Sequence, residues 1–309
     1  MFSLSRTLVS LSVAIILTGI AGCSVTGERD QVPVDQAVGL ALQPPRVRLI
    51  EKGESPRNPL IFQDHNTPTQ AATVKVGSSL SQQISTGDTL SPQPSLDAAS
   101  PAVTTLKVTA ESVPAQQSEE STRSVFLKVR SANSDTDLDT ARGFGFGWFA
   151  DDSGRISSVN FAAPTQATDA ARAQTEDSLL TLVGLPVVFP QEPVGVGARW
   201  TVESRITSAS ASYLQDMTFE LLERSGSVVR LGVSVQQRPS QGAIEAQGEK
   251  LEVISAESVS EGELVIDTSH PLPVSGSLKV IARVIYAAAG NEVRVVQDNS
   301  TVVEFVPPQ

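Results

Sequence analysis

The sequence predicts a mainly β protein. It is expected to form one large curved antiparallel sheet, a half-barrel or barrel-like meander of about ten to twelve strands, with one α-helix inserted near 165–183. Three observations predict this. Alternating apolar and polar residues recur along the chain, as in Val103–Val113 and Arg123–Ser131. Turn pairs such as Ser225-Gly226, Glu261-Gly262 and Ser275-Gly276 punctuate them. Only TQATDAARAQTEDSLLTLV (165–183) spaces its apolar residues as a helix does. A sheet of so many strands does not stay flat; it curls or splits.

Residues 1–22 read as a leader. Arg6 supplies a positive start, and the apolar run Leu8–Ile20 is too short for an ordinary membrane span. The run ends in Ile20-Ala21-Gly22-Cys23. This resembles the lipobox of bacterial lipoproteins: an aliphatic residue, two small ones, then cysteine. The resemblance covers residues 1–24 and implies cleavage before Cys23 and acylation of its thiol. Cys23 is the only cysteine, so an internal disulfide is excluded and a leftover thiol is explained. Two or more acyl chains suffice for stable attachment. The expected address is the bacterial cell envelope, lipid-anchored on the extracytoplasmic side of a membrane. Ser24 does not look like an inner-membrane retention signal.

Residues 23–43 are expected to be the lipidated cysteine and a flexible polar tether, and 44–309 a single β-rich domain. Strands are expected within 45–63 and 69–85. A long loop rich in Ser, Pro and Asp follows at 86–102, expected to be disordered. An interdomain linker there is the alternative; strand-like patterns on both sides favour the loop. Gly143–Phe149 and Ile156–Phe161 read as a hairpin through Asp151-Asp152-Ser153-Gly154. In the helix, Ala167, Ala171, Ser178, Leu179, Leu182 and Val183 share one side, Thr165 is the N-cap candidate, and Gly184 and Pro186 end it. Seven further strand patterns run from Trp200 to Val306, and no internal repeat appears.

GFGFGWF (143–149) invites a phosphate-loop reading, which fails on spacing. Trp148 stands where a third glycine belongs, and no Gly-Lys-Ser/Thr follows. As a strand it puts Phe144, Phe146 and Trp148 on one face and three glycines on the other. Those aromatics are either ordinary core or the wall of an apolar pocket, which makes Phe144, Phe146 and Trp148 the candidate ligand-binding residues.

Charge and chemistry narrow the function. The chain has 23 Lys and Arg against 34 Asp and Glu, a net charge of −11. Losing Arg6 with the leader makes the mature chain more negative. With no basic runs it is a poor partner for nucleic acid and for electrostatic attachment to anionic lipid, so the acyl chains are expected to do the anchoring. His65 and His270 lie in expected turns without neighbours at metal-ligand spacing. Asp135, Asp137 and Asp139 resemble the start of a calcium loop, but Thr140 replaces its glycine and Phe146 its bidentate glutamate. No Gly-x-Ser-x-Gly elbow occurs. No catalytic residue, metal site or cofactor is assigned.

PRVRLIEKGESPRNPLIFQ (45–63), LPVVFPQEPVGVGARWTVE (185–203) and GELVIDTSHPLPVSGSLKV (262–280) are similar to an uncharacterised family of bacterial secreted and lipid-anchored proteins of unknown function. That resemblance implies no activity and no catalytic residues. The expected function is a non-enzymatic, membrane-anchored envelope lipoprotein that binds a lipid or other apolar ligand. A protein-interaction scaffold at the cell surface, with an envelope protein as partner, is the alternative. An envelope hydrolase is the third and least favoured. A carrier needs an apolar cavity of about 300–1,000 Å³; a scaffold needs an exposed apolar patch or an unpaired sheet edge.

Overall fold

The computed structural model describes residues 32–65, 67–86, 90–98, 100–115, 121–132, 137–208, 211–246, 249–288, 290 and 292–307. The leader, Cys23 and Asp135 lie outside these residues. Fourteen strands occur among them: β1 (Val38–Ala41), β2 (Arg46–Glu51), β3 (Gln70–Thr86), β4 (Val103–Pro114), β5 (Arg123–Ala132), β6 (Gly145–Ala150), β7 (Ile156–Ala162), β8 (Arg199–Ser208), β9 (Ala211–Ser225), β10 (Val228–Pro239), β11 (Ala243–Ala246), β12 (Glu249–Asp267), β13 (Ser275–Ala287) and β14 (Val293–Val306). One helix, α1 (Asp169–Val183), joins β7 to β8. All strands belong to one sheet, ordered β1-β7-β6-β5-β4-β3-β14-β13-β12-β10-β9-β8-β2, with β11 beside β12. Every pairing is antiparallel. The count exceeds the expected ten to twelve because β1 and β11 have only 4 residues each, too few to show a period.

The sheet is open but strongly curled, and the connectivity requires it. β1 and β2 end the strand order, yet only residues 42–45 separate them in sequence. Those residues reach at most about 18 Å. Laid flat, strands at the usual spacing would hold the two ends roughly 60 Å apart. The run 38–51 therefore stitches the ends together, its first part bonded to β7 and its second to β8. Among the described residues, β1 and β2 each keep one unpaired edge.

Of the tether expected over 23–43, only 32–43 lies within the described residues. Its last part is docked: Val34 bridges Pro164, Asp35 pairs with Arg172 at 2.5 Å, and Val38–Ala41 add to β7. The same contacts move the helix start. The Thr165 amide donates to the Pro33 carbonyl, and the N-cap is Thr168, whose hydroxyl accepts the Ala171 amide at 3.2 Å. In the loop expected over 86–102, Pro94 is buried, Leu96–Ala98 form a 3-10 turn, and Arg283 donates to the Ser91 carbonyl.

The concave face holds two apolar clusters with a polar band between them, and a small third gathers Leu138, Ala141 and Ala171 beside α1. The larger runs through Val74, Leu106, Leu127, Phe146, Trp200, Phe219, Leu231 and Phe305. The band is one inward row, set by register: Asn299, Ala282, Ser258, Gln237, Gln215 and Ser204. α1 is held by polar partners, of which Gln215 belongs to this row. Gln174 donates to Thr104, Ser78 to Asp177, and Gln215 to the carbonyl of Gly184 at the helix end. Leu179 and Leu182 point into the larger cluster. The core lies wholly within Val32–Gln309, a single compact unit.

Beyond the band, Tyr213, Leu251, Val284 and Tyr286 form the second cluster. Burial pushes the Tyr213 hydroxyl above its ordinary value of 10. Burial, then the charge of Tyr213, does the same to Tyr286. An unfolded tyrosine ionises near pH 10, so this cluster adds stability below that pH and loses it as pH rises toward the raised folded values. These are the only two tyrosines. Tyrosinate absorbance therefore reports this cluster alone, and its native midpoint is expected above 10, returning to the ordinary value in denaturant. Ordinary native titration of both rings would mean that the cluster is not packed this way.

Candidate functional site

The three stretches set apart in the sequence meet in one corner. Glu54 donates its amide to Val196, Asn58 bridges Val194, and Gln63 donates to Thr268. In PVGVG, a Cβ on Gly195 would stand 1.8 Å from the Glu54 carbonyl oxygen, so only glycine lets the two loops touch. Trp200, near the start of β8, is fully buried. Its indole donates to the Val188 carbonyl at 2.8 Å and its ring stacks on Phe219.

An apolar pocket of about 70 Å³ lies beside this corner. Leu182, Pro186, Trp148, Ile266, Leu272 and Phe305 are among its walls. Trp148 on β6 and Ile266 on β12 are far apart in the strand order, so the curl brings them together. One wall is charged. Arg123, 2% exposed, donates through Nε to Oδ1 of Asp64 at 2.9 Å and through Nη2 to Oδ2. Asp64 is fully buried. The guanidinium lies 4.1 Å from the centre of the Phe62 ring, which packs on Phe189. The sequence reading missed this pair. Its one signal was Arg123 at the inward register of Val125, Leu127 and Val129.

GFGFGWF is a strand from Gly145 onward. Phe144 and Phe146 are fully buried in the larger cluster and do not line the pocket; Trp148, 7% exposed, does. Phe146 packs between Trp148 and Phe161, ring centres 5.7 and 5.0 Å away. The bare face is covered from outside. The Phe126 ring lies 3.1 Å from where a Cβ on Gly145 would stand, and Asn160 lies 2.8 Å from that of Gly147. The glycines let side chains from both neighbouring strands lie across β6.

The histidines do not build a relay. His270 Nδ1 lies 3.3 Å from Asp267 and 3.2 Å from the Ser269 hydroxyl, and that hydroxyl bonds Asp267 at 2.7 Å. A Ser-His-Asp relay needs the imidazole between serine and carboxylate, on different nitrogens. Here one nitrogen faces both within a single turn. Desolvation raises the Asp267 pKa, but bonds from the Ser269 amide, Ser269 and Ser227 hydroxyls, with the His270 charge, lower it overall. That is the electrostatics of a capped turn. His65, next to Asp64, buries an Nδ1 that bonds no protein group. Among the described residues, no three His, Cys, Asp or Glu are grouped to hold a metal ion.

No protein-family model matches this chain, and no curated protein matches it. Among solved structures it aligns with a conserved protein of unknown function with a hot dog fold from Alicyclobacillus acidocaldarius, over 79% of this chain and 81% of that one. The identity is 10% and the TM-score 0.09, so the alignment carries no argument about fold or function.

Proposed function

We propose that this protein is a non-enzymatic interaction module of the bacterial envelope, held to a membrane by acyl chains on Cys23, that takes up an extended segment of a partner protein at an unpaired sheet edge. The observation carrying this reading is β1, which ends the sheet with Val38 68% and Leu40 49% exposed. Leu42 donates to Ser157. By antiparallel alternation Leu40 and Val38 also face β7, and the amides of Gly39 and Ala41 point away from it. Free amides on an apolar edge are a template for strand addition. A lipid carrier fits less well. The 70 Å³ pocket is far below the roughly 300 Å³ at which small-molecule sites begin.

Ala41→Pro tests the edge. Proline removes an amide that β7 does not use, so the fold should keep its melting temperature. A photo-crosslinker at Val38 should give a discrete protein adduct in cells, and Ala41→Pro should reduce it severalfold. An adduct unchanged by proline, or none, removes strand addition. The carrier keeps one specific support, Trp148 in the pocket wall. A stoichiometric lipid in organic extracts of the purified protein would restore it.

A further inference from the structure

The outer face of β4 and β5 gathers cations that the sequence scatters. Register sets Lys128 beside Thr109 and Phe126 beside Glu111, and a bulge next to Lys107 leaves Arg130 as the extra residue. Together Thr69, Thr109, Glu111, Phe126, Lys128 and Arg130 line a groove of about 310 Å³. Lys107 and Arg130 are exposed and Phe126 is 41% exposed. Among the described residues, Lys107, Lys128 and Arg130 join no ion pair. In a chain of net charge −11, three cations outside any ion pair, two of them sharing a groove with an exposed aromatic ring, are a local reversal of sign.

Their position adds a second argument. Val32 packs on Gly143, its Cβ 3.0 Å from where a glycine Cβ would stand. The Gly143 amide donates to Val129, which lies between Lys128 and Arg130. Val32, the first described residue, thus lies beside the strand that carries Lys128 and Arg130. Cys23 to Gln31 reaches at most about 30 Å.

We infer that this outer face of β4 and β5 is the side the domain turns to the membrane, with Lys107, Lys128 and Arg130 on the phosphates of anionic lipid headgroups and Phe126 at the interface. This orientation rests on anchoring through Cys23. The acidic remainder of the protein does not forbid it, because charges beyond about 10 Å are largely screened at moderate salt. Glu111 is the carboxylate in the groove and opposes binding.

The test is sedimentation of the unacylated chain Ser24–Gln309 with vesicles of phosphatidylglycerol or of phosphatidylcholine. Each surface cation contributes roughly fivefold. Binding to phosphatidylglycerol should exceed that to phosphatidylcholine by at least about tenfold. The triple change Lys107→Glu, Lys128→Glu, Arg130→Glu should abolish it, as should high salt, and Glu111→Lys should strengthen it severalfold. Unchanged circular dichroism and melting show that the variants fold. Equal binding to both vesicles, or binding indifferent to the triple change, overturns the inference. Anchoring is read separately, as acyl mass on the mature native chain and its loss in Cys23→Ala. A chain never acylated that still binds phosphatidylglycerol through these residues overturns the anchor and keeps the face.

Discussion

Asp64→Ala is expected to lower the unfolding free energy by about 3–5 kcal/mol. Asp64 and Arg123 are 0% and 2% exposed, and two hydrogen bonds join them. Removing the carboxylate leaves a guanidinium out of water with only the face of Phe62 for company. The cost comes from the stranded charge rather than from the worth of the pair. Desolvating both ions offsets most of their attraction, so replacing both with apolar residues is often neutral or stabilising. Asp64→Leu with Arg123→Met should therefore recover most of the loss. Denaturant unfolding with an unchanged slope measures both. A single variant within about 1 kcal/mol of the parent would mean that water reaches the pair. A double variant as unstable as the single one would mean that the pair fixes the pocket wall geometrically.

That pair shows where sequence reading stops. Alternation is a local signal, and it makes most strands, the hairpin at Asp151–Gly154 and the single helix legible in the sequence. The partner of an inward arginine is not local: Asp64 and Arg123 lie 59 residues apart in the chain. The union of β3 with β14 joins Val76 to Val303, and no periodicity encodes it. Short edge elements are equally silent. VGLA reads as linker because an exposed four-residue strand buries neither face, and only its bonds to β7 define it. Of the candidate ligand residues, Trp148 reaches the pocket, while Phe144 and Phe146 are enclosed by the larger cluster. A period of two tells which side chains share a face. It does not tell whether a cavity lies in front of them. The cations at Lys107, Lys128 and Arg130 were visible singly, but their meeting depends on the β4–β5 register and its bulge.

Phe146→Ala is expected to cost about 3–5 kcal/mol, and Phe126→Ala under about 1 kcal/mol. The two residues sit on opposite faces of the same region, and Phe126 is the partner of Gly147. Phe146 is fully buried, paired in register with Leu127 and flanked by Trp148 and Phe161. Deleting its ring removes a large apolar transfer term and opens a space that the rigid sheet cannot collapse into. Phe126 lies over Gly145 and is 41% exposed, so most of its loss is surface area that water already reaches. Chemical denaturation of both variants, with slopes compared, decides between structural core and ligand wall for GFGFGWF. A Phe146→Ala loss near 1 kcal/mol would mean that the ring faces free space and would return Phe146 to the ligand-binding candidates. A large loss at Phe126 would make it a structural plug over the glycines, leaving the cations to hold the membrane face without it. The expected contrast instead makes the inner aromatics structural core. It leaves the outer ring, which folding does not need, free to act at a surface.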